Sequence, residues 1–412
     1  MQPTKALKHC ISRAKEGFLR FLARRDPAEY FIALMLLGIT VFFVRCLIQG
    51  PEAFTEIFHL GTTDLFLDYF NSVRDAAPGA ASYTVRHVIY PPLANLVFLL
   101  LARFTPNAYL AMPHGELAYT WRAYNGAMLS FVIFTVLALV LLALTLQREP
   151  YAPVKKNLLT FLMIASFPVI FMVERGNVLV LALAALVIFS QNYQSESRVG
   201  KEVALIALAV AAALKIYPAL FGLVLLADRR YRDAVRAALY AVLLTLGSSL
   251  FFGGPVAIFY VIKNTLSFTS GGENISNFNS FLGFGDKIGT AIVFGLYIFA
   301  VLFLALASLL QKKAWKTWMF AGAVLLTFSS IFSAYNWLML LPAFLTFMRT
   351  EKLRGINWIY FFSMSIPFYV YIPKPLQDNG LIVLMTVMIT LSALEGIGAF
   401  AAYIQAKKRN RL

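Results

Sequence analysis

Charged residues are scarce in this chain. Asp, Glu, Lys and Arg supply 14% of its 412 residues, against about a quarter in a soluble domain. That shortage excludes a soluble enzyme, and an apolar content of 60% excludes a disordered protein. Histidine and cysteine are scarcer still, at four and two residues. Cys10 and Cys46 make no disulfide framework, and no Cys/His spacing suits zinc. There is no Walker loop and no dinucleotide fingerprint, so a nucleotide-driven motor is not expected. No cofactor and no metal are expected. Strict apolar–polar alternation over strand-length stretches is also missing, which excludes a membrane barrel.

What the chain does contain is apolar residues in helix-length runs, at a mean hydropathy of +0.72. Only helices or closed barrels satisfy a backbone in lipid, so the expected fold class is an all-α integral membrane protein. The runs suggest about twelve spans, near 30–49, 89–104, 122–146, 157–173, 177–193, 203–227, 233–252, 284–310, 315–332, 336–349, 356–372 and 381–405. The formal charge of +16 then reads as topology and not as nucleic-acid binding. Clusters at Arg229 to Arg232, Lys312–Lys313, Lys352 to Arg354 and Lys407 to Arg411 fall on one side with the basic N-terminus, the cytoplasmic one by the positive-inside rule. Arg148, Lys155, Lys156, Arg198 and Lys201 would be exceptions, outside. Residues 1–29 read as a cytoplasmic basic amphipathic segment, and residues 30–412 as one transmembrane domain. The expected location is the cell (inner) membrane, multi-pass, with both termini cytoplasmic.

Two outside loops, about 50–88 and 253–283, are longer than connectors need to be. The first contains Asp64 and Asp68, four apart and on one helical face among Leu65, Phe66, Leu67 and Phe70. It reads as an amphipathic segment on the outer membrane surface. Its carboxylates are either solvated caps or a general base, or a metal pair with no third ligand evident, placed where lipid meets water. Arg86, His87 and Tyr90 precede Pro91–Pro92 at a helix mouth; the cations suit a phosphate or simple snorkelling. Glu174-Arg175-Gly176-Asn177 interrupts an apolar stretch, as a site or as a self-paired turn. Lys215, with Tyr217 and Pro218 after it, falls midway along an apolar run, where a lone cation costs at least about 2.5–3.5 kcal/mol. An anion-binding role is preferred to a structural pairing with Glu174 or Asp68. Asn274, Ser276, Asn277, Asn279 and Ser280 form a polar stretch suited to hydroxyl-rich ligands or to a wet loop. Ser333, Tyr335, Asn336 and Trp337 read as an interfacial aromatic belt, with Tyr335 kept as a site candidate.

Taken together, TTDLFLDYFNSV, VIYPPLANL, ERGN and ALKIYP, in that order, resemble the membrane-embedded GT-C glycosyltransferases, and among them glycosyltransferase family 87. The resemblance runs from about Asp64 to Arg230. It implies a GT-C-like bundle with a catalytic Asp in the first outside loop, a polyprenyl-phosphate-linked sugar donor, and inversion at the sugar carbon. Mannose is the sugar it suggests. The acidic pair is Asp-x-x-x-Asp where eukaryotic relatives have Asp-x-Asp, which leaves the base open between the two; the Tyr following Asp68 and the nearby Asn71 make Asp68 preferred, with Asp64 close behind. Lys215, Arg175, Arg86 and His87 are the candidates for the donor phosphate; Glu174, Asn177, Tyr90, Tyr217, Asn279 and Tyr335 are further site candidates. The expected partners are the lipid-linked donor, a glycan or lipid acceptor and membrane lipids, with no nucleic acid. The rival readings are a transporter or flippase of lipid-linked sugar, which the unmatched halves of the chain disfavour, and a lipid-binding scaffold.

Overall fold

The computed structural model describes residues 26–55, 65–111, 124–269, 290–328, 334–369 and 374–409. Among them every regular element is helical. In chain order the principal helices are α1 (Pro27–Gln49), α2 (Leu67–Ala76), α3 (Pro92–Ala102), α4 (Asn125–Leu146), α5 (Pro153–Ile164), α6 (Phe167–Arg175), α7 (Leu179–Asn192), α8 (Arg198–Leu214), α9 (Leu223–Ala227), α10 (Tyr231–Ser249), α11 (Val256–Thr269), α12 (Thr290–Leu309), α13 (Ala314–Phe328), α14 (Leu341–Thr350), α15 (Asn357–Ser365) and α16 (Lys374–Arg409). Tyr217–Gly222 and Ala334–Leu340 are 3₁₀ segments.

Local chemistry sets many of these ends. Asp26 caps α1 by accepting the N–H groups of Ala28 and Glu29 at 2.9 and 3.4 Å, and Pro27 presets its first turn. Prolines likewise open α3, α5 and α14. Ser197 accepts the Gly200 N–H at 2.9 Å and starts α8.

Among the described residues three helices are long and apolar enough to cross a membrane: Pro27–Gln49, Asn125–Leu146 and Tyr231–Phe252. A fourth crossing is made if α5 and α6, bent by 48°, count as one. Large apolar side chains such as Leu37 and Phe43 on α1, Leu137 and Leu144 on α4, and Leu239 and Leu243 on α10 face outward. Water would penalise that surface, so the protein belongs in a membrane.

Three short hairpins follow, two of them made of runs expected as separate crossings and one made of a run expected as a single crossing. α5 and α6 rise from the basic loop 147–153, turn at Gly176, and α7 returns. The return is recorded where Gln191 near the end of α7 donates to the Thr145 carbonyl at 2.9 Å. α8 stops at Leu214, and the 3₁₀ segment and α9 double back along it, leaving Gly222 beside Leu208. The expected span over 203–227 is therefore an up-and-down pair with Lys215 at its tip. α13 and α14 form a third pair, with Ala334–Leu340 between them.

This arrangement also corrects the five basic exceptions. Lys155 pairs with Asp26, Arg349 lies 3.6 Å from Glu149, Arg236 pairs with Glu202, and Arg230 donates to the Tyr193 carbonyl. Arg148, Lys155, Lys156, Arg198 and Lys201 thus gather at the same end as Asp26 and Arg230. The count of crossings slips at α3. That helix ends beside the start of α4, where a side chain on Gly126 would meet the Phe104 carbonyl. α4 consequently runs toward the basic end and not away from it.

The hairpins pack on a core rich in aromatics. Trp315 and Trp318 are fully buried, and the Trp318 indole donates to the Phe221 carbonyl at 3.2 Å. At the basic end Glu149 is buried, and Gln191 donates to it at 2.7 Å. Burial pushes the Glu149 carboxyl up, and Arg349 opposes that shift.

Candidate active site

The tips of the hairpins converge on α2. Phe66, in the left-handed region at φ +65, turns the chain into that helix, and its N–H donates to the Glu174 carbonyl at 2.6 Å. α2 does not lie on a membrane surface as its amphipathic pattern suggests. Tyr69, Phe70, Val73 and Ala76 are fully buried, and the Tyr69 hydroxyl donates to Ser130 Oγ at 2.8 Å. Phe98, Phe131 and Phe134 surround the Tyr69 ring. This aromatic floor fixes Asp68, one residue earlier, at the meeting point of the tips.

The first tip is Glu174-Arg175-Gly176-Asn177. Gly176 adopts φ +68, its N–H reaches the carbonyls of Met172 and Val173 at 3.0 Å, and the Asn177 N–H reaches Met172 at 3.2 Å. This is the glycine helix stop that a left-handed position favours. Asn177 then has no freedom left. Its Oδ1 accepts the Leu179 N–H at 3.0 Å to start α7, so its Nδ2 points to Asp68 Oδ2 at 2.8 Å and to the Tyr90 hydroxyl at 3.3 Å. Arg175 donates to the other carboxylate oxygen, Asp68 Oδ1. Of the two readings of this turn, a site or a self-paired turn, the contacts of Arg175 and Asn177 with the acid of the first loop favour the site.

The second tip presents Lys215. The helix ends there in extended backbone, φ −144 and ψ 131, and Pro218 starts the 3₁₀ return. Its Nζ lies over the faces of Tyr90 at 5.2 Å, Tyr217 at 5.6 Å and Tyr335 at 5.7 Å, an aromatic box that holds a cation without neutralising it. Asp68 is near enough for its charge to act on Lys215. The buried Tyr217 hydroxyl has no hydrogen-bond partner among the described residues. Tyr335, from the third hairpin, stacks on Phe171 at 5.9 Å. Trp337 beside it is fully buried, so this junction is not the interfacial belt expected from its composition.

Asp68, Tyr90, Arg175, Asn177, Lys215, Tyr217 and Tyr335 therefore form one site, with Glu174 buried at its edge. Arg86 and His87 do not join it. They sit in the turn before α3, His87 exposed and at φ +53, and neither side chain bonds to the Asp68 cluster among the described residues. Asp64 and Asn279 lie outside the described residues. Tyr69 and Ser130 were not foreseen. Tyr69 follows Asp68 directly, but nothing local ties it to a serine 61 positions away.

Depth along α4 locates the site. Gly176 and Asn177 lie beside Phe134 and Ala138, while Thr145 marks the basic end. At 1.5 Å per residue the tip stands about 10–16 Å from that end, partway along the 22-residue α4. A carboxylate at this depth, with a free lone pair on each oxygen, can accept a proton. Two cations and an unpartnered hydroxyl beside it suit a phosphate.

Comparison with known proteins gives one family. Residues 88–333 match the model of glycosyltransferase family 87, a stretch that includes Tyr90, Arg175, Asn177, Lys215 and Tyr217 and begins after Asp68. Neither a curated protein nor a solved structure gives a significant match.

Proposed function

The chain belongs to glycosyltransferase family 87, and on that premise we propose that it moves a monosaccharide from a polyprenyl-phosphate donor to a hydroxyl acceptor, with inversion at the sugar carbon. Mannose is the sugar favoured by the sequence resemblance. Family membership gives the transporter reading no support.

The observation that carries this reading is the placement of Asp68 between Arg175 and Asn177, one tip away from the boxed Lys215. In the proposed step Asp68 takes the proton of the acceptor hydroxyl as its oxygen bonds to the anomeric carbon. The bond from that carbon to the phosphate oxygen breaks on the opposite face, and its electron pair leaves with the phosphate. The departing dianion needs positive charge and no proton. Lys215 supplies charge, and the Tyr217 hydroxyl supplies a hydrogen bond. Arg175 has two partners in turn. It holds Asp68 in the structure; in the proposed step it swings toward the phosphate and frees Oδ1 to act as base. Asn177 keeps the carboxylate oriented during the exchange.

The gathering of basic residues at the opposite end supports an active site opening to the outer side of the cell membrane, with the termini inside. The apolar outer surfaces of α4 and α10 leave room for the polyprenyl chain to lie in lipid while its phosphate reaches the tips.

The test is transfer by the full-length protein in membranes, using labelled polyprenyl-phosphate-mannose. Asp68→Asn should lower transfer by about 10²–10⁴-fold, the usual contribution of a general base. Parental transfer by that variant would end the proposal.

A further inference from the structure

The basic end holds a groove that the transfer reaction leaves unused. Its volume is about 940 Å³, near the top of the range of about 300–1,000 Å³ for ligand clefts. It lies between the end of α9, the turn joining α12 to α13, the face of α15 and the second half of α16. Its surface is of two kinds. Four cations, Arg229, Lys312, Lys313 and Lys316, line it with one carboxylate, Glu395. Leu309, Leu391 and Leu394 form apolar walls. A cleft of about 140 Å³ between α12 and α16 shares Leu310 and continues the apolar surface.

The cations are not equivalent. Lys313 is bonded to Glu351 at 2.6 Å and Lys316 to Glu395 at 2.8 Å, and Tyr360 also donates to Glu395. The single carboxylate is therefore already satisfied. Arg229 and Lys312 are exposed and make no ion pair among the described residues. Arg229 also stands at φ +58, a left-handed position that a residue with a side chain rarely adopts. The turn there is closed by backbone alone, Arg229 N–H to Leu226 at 3.0 Å and Arg230 N–H to Leu225 at 2.7 Å. Glycine would satisfy the turn without strain, yet a guanidinium occupies it and reaches the groove.

We propose that this groove binds an anionic phospholipid, its phosphate held by Arg229 and Lys312 and its acyl chain laid along the leucine walls. Charge complementarity selects an anion, and the apolar walls select one that carries a hydrocarbon tail, because a soluble phosphate would leave them wet. The inference does not depend on the transferase reading. Arg229 and Lys215 stand at opposite ends of the returning segment that contains Tyr217–Gly222 and α9.

Full-length protein in detergent tests it, with phosphatidylglycerol, phosphatidylcholine and inorganic phosphate as separate probes, read by native mass spectrometry. Phosphatidylglycerol should be retained in preference to phosphatidylcholine, and inorganic phosphate should bind no more than weakly. The double variant Arg229→Gly/Lys312→Ala, whose glycine suits the turn, should lose about tenfold in retention of phosphatidylglycerol. Lys407→Ala/Arg409→Ala removes the same charge from exposed positions outside the groove and should keep it. Equal retention by the groove variant and the parent overturns the proposal, as does an equal loss in the control pair. Saturable tight binding of inorganic phosphate alone also overturns the lipid assignment.

Discussion

Gly176 carries no side chain, and the site leaves room for none. A Cβ there would stand 2.5 Å from the Tyr69 Cβ and 3.1 Å from the Phe131 ring, at φ +68. The backbone conformation costs about 1–2 kcal/mol for an L-residue, and the overlap adds about 1–3 kcal/mol. Gly176→Ala should therefore lower stability by roughly 2–5 kcal/mol, seen as a reduced melting temperature in detergent. An unchanged melting temperature would mean that α2 does not press on this turn. Tyr217 predicts the opposite pattern. Its buried hydroxyl has no hydrogen-bond partner among the described residues, which costs about 1–3 kcal/mol. Tyr217→Phe should hold or raise the melting temperature while cutting transfer about tenfold, the loss of one hydrogen bond worth about 1.4 kcal/mol to the leaving phosphate. Equal transfer by the two proteins would remove Tyr217 from the site. Much of this was legible in residue type. A charge in an apolar run must earn its place, and Arg175 and Lys215 do so by facing Asp68. Asp68 could be named as a partner for Lys215, but its contact with Asn177 was not legible, because the two are 109 positions apart and no local spacing encodes it.

Hairpins, more than single helices, are the units that build the site, and short links tie them at the basic end. Glu351, just after α14, accepts hydrogen bonds from Lys313 at 2.6 Å and from the Trp315 indole at 2.9 Å, joining α14 to the start of α13. Burial alone would raise its carboxyl, but these donors hold it below the ordinary carboxylate range. A depressed folded-state pKa stabilises the fold above the unfolded value, about 4.3, and that contribution disappears as pH falls through the folded value. Lys313 is about half exposed and its share is screened. Glu351→Gln should thus cost about 1 kcal/mol at pH 7 and progressively less as pH falls through the folded value, so the parent and variant melting curves converge in acid. A gap that is constant with pH would refute this role for the carboxylate. Most long helices were legible in hydropathy, but α11 falls in the stretch 253–283 that was read as a loop. The reversal within 203–227 was not legible. An apolar run of about 24 residues at 203–227 has the composition of one crossing, and the fold of two arms appears only once Gly222 is seen against Leu208.

At the scale of the whole molecule, charge and site occupy different ends. Basic residues that looked misplaced along the sequence, such as Lys155 and Arg198, come to lie with Asp26 and Arg230, because α3 does not cross and the hairpins return. The tips they carry upward bring an acid, two cations and three tyrosines together at one depth. In the proposed function, orientation in the membrane and transfer chemistry draw on the same arrangement, with Asp68 as the base. The decisive measurement takes Asp68→Asn protein in proteoliposomes and reads donor binding and glycosyl transfer on one preparation with labelled polyprenyl-phosphate-mannose. Retained donor binding, with transfer reduced by about 10²–10⁴-fold, is the predicted result. Transfer within a few-fold of the parent would contradict the account.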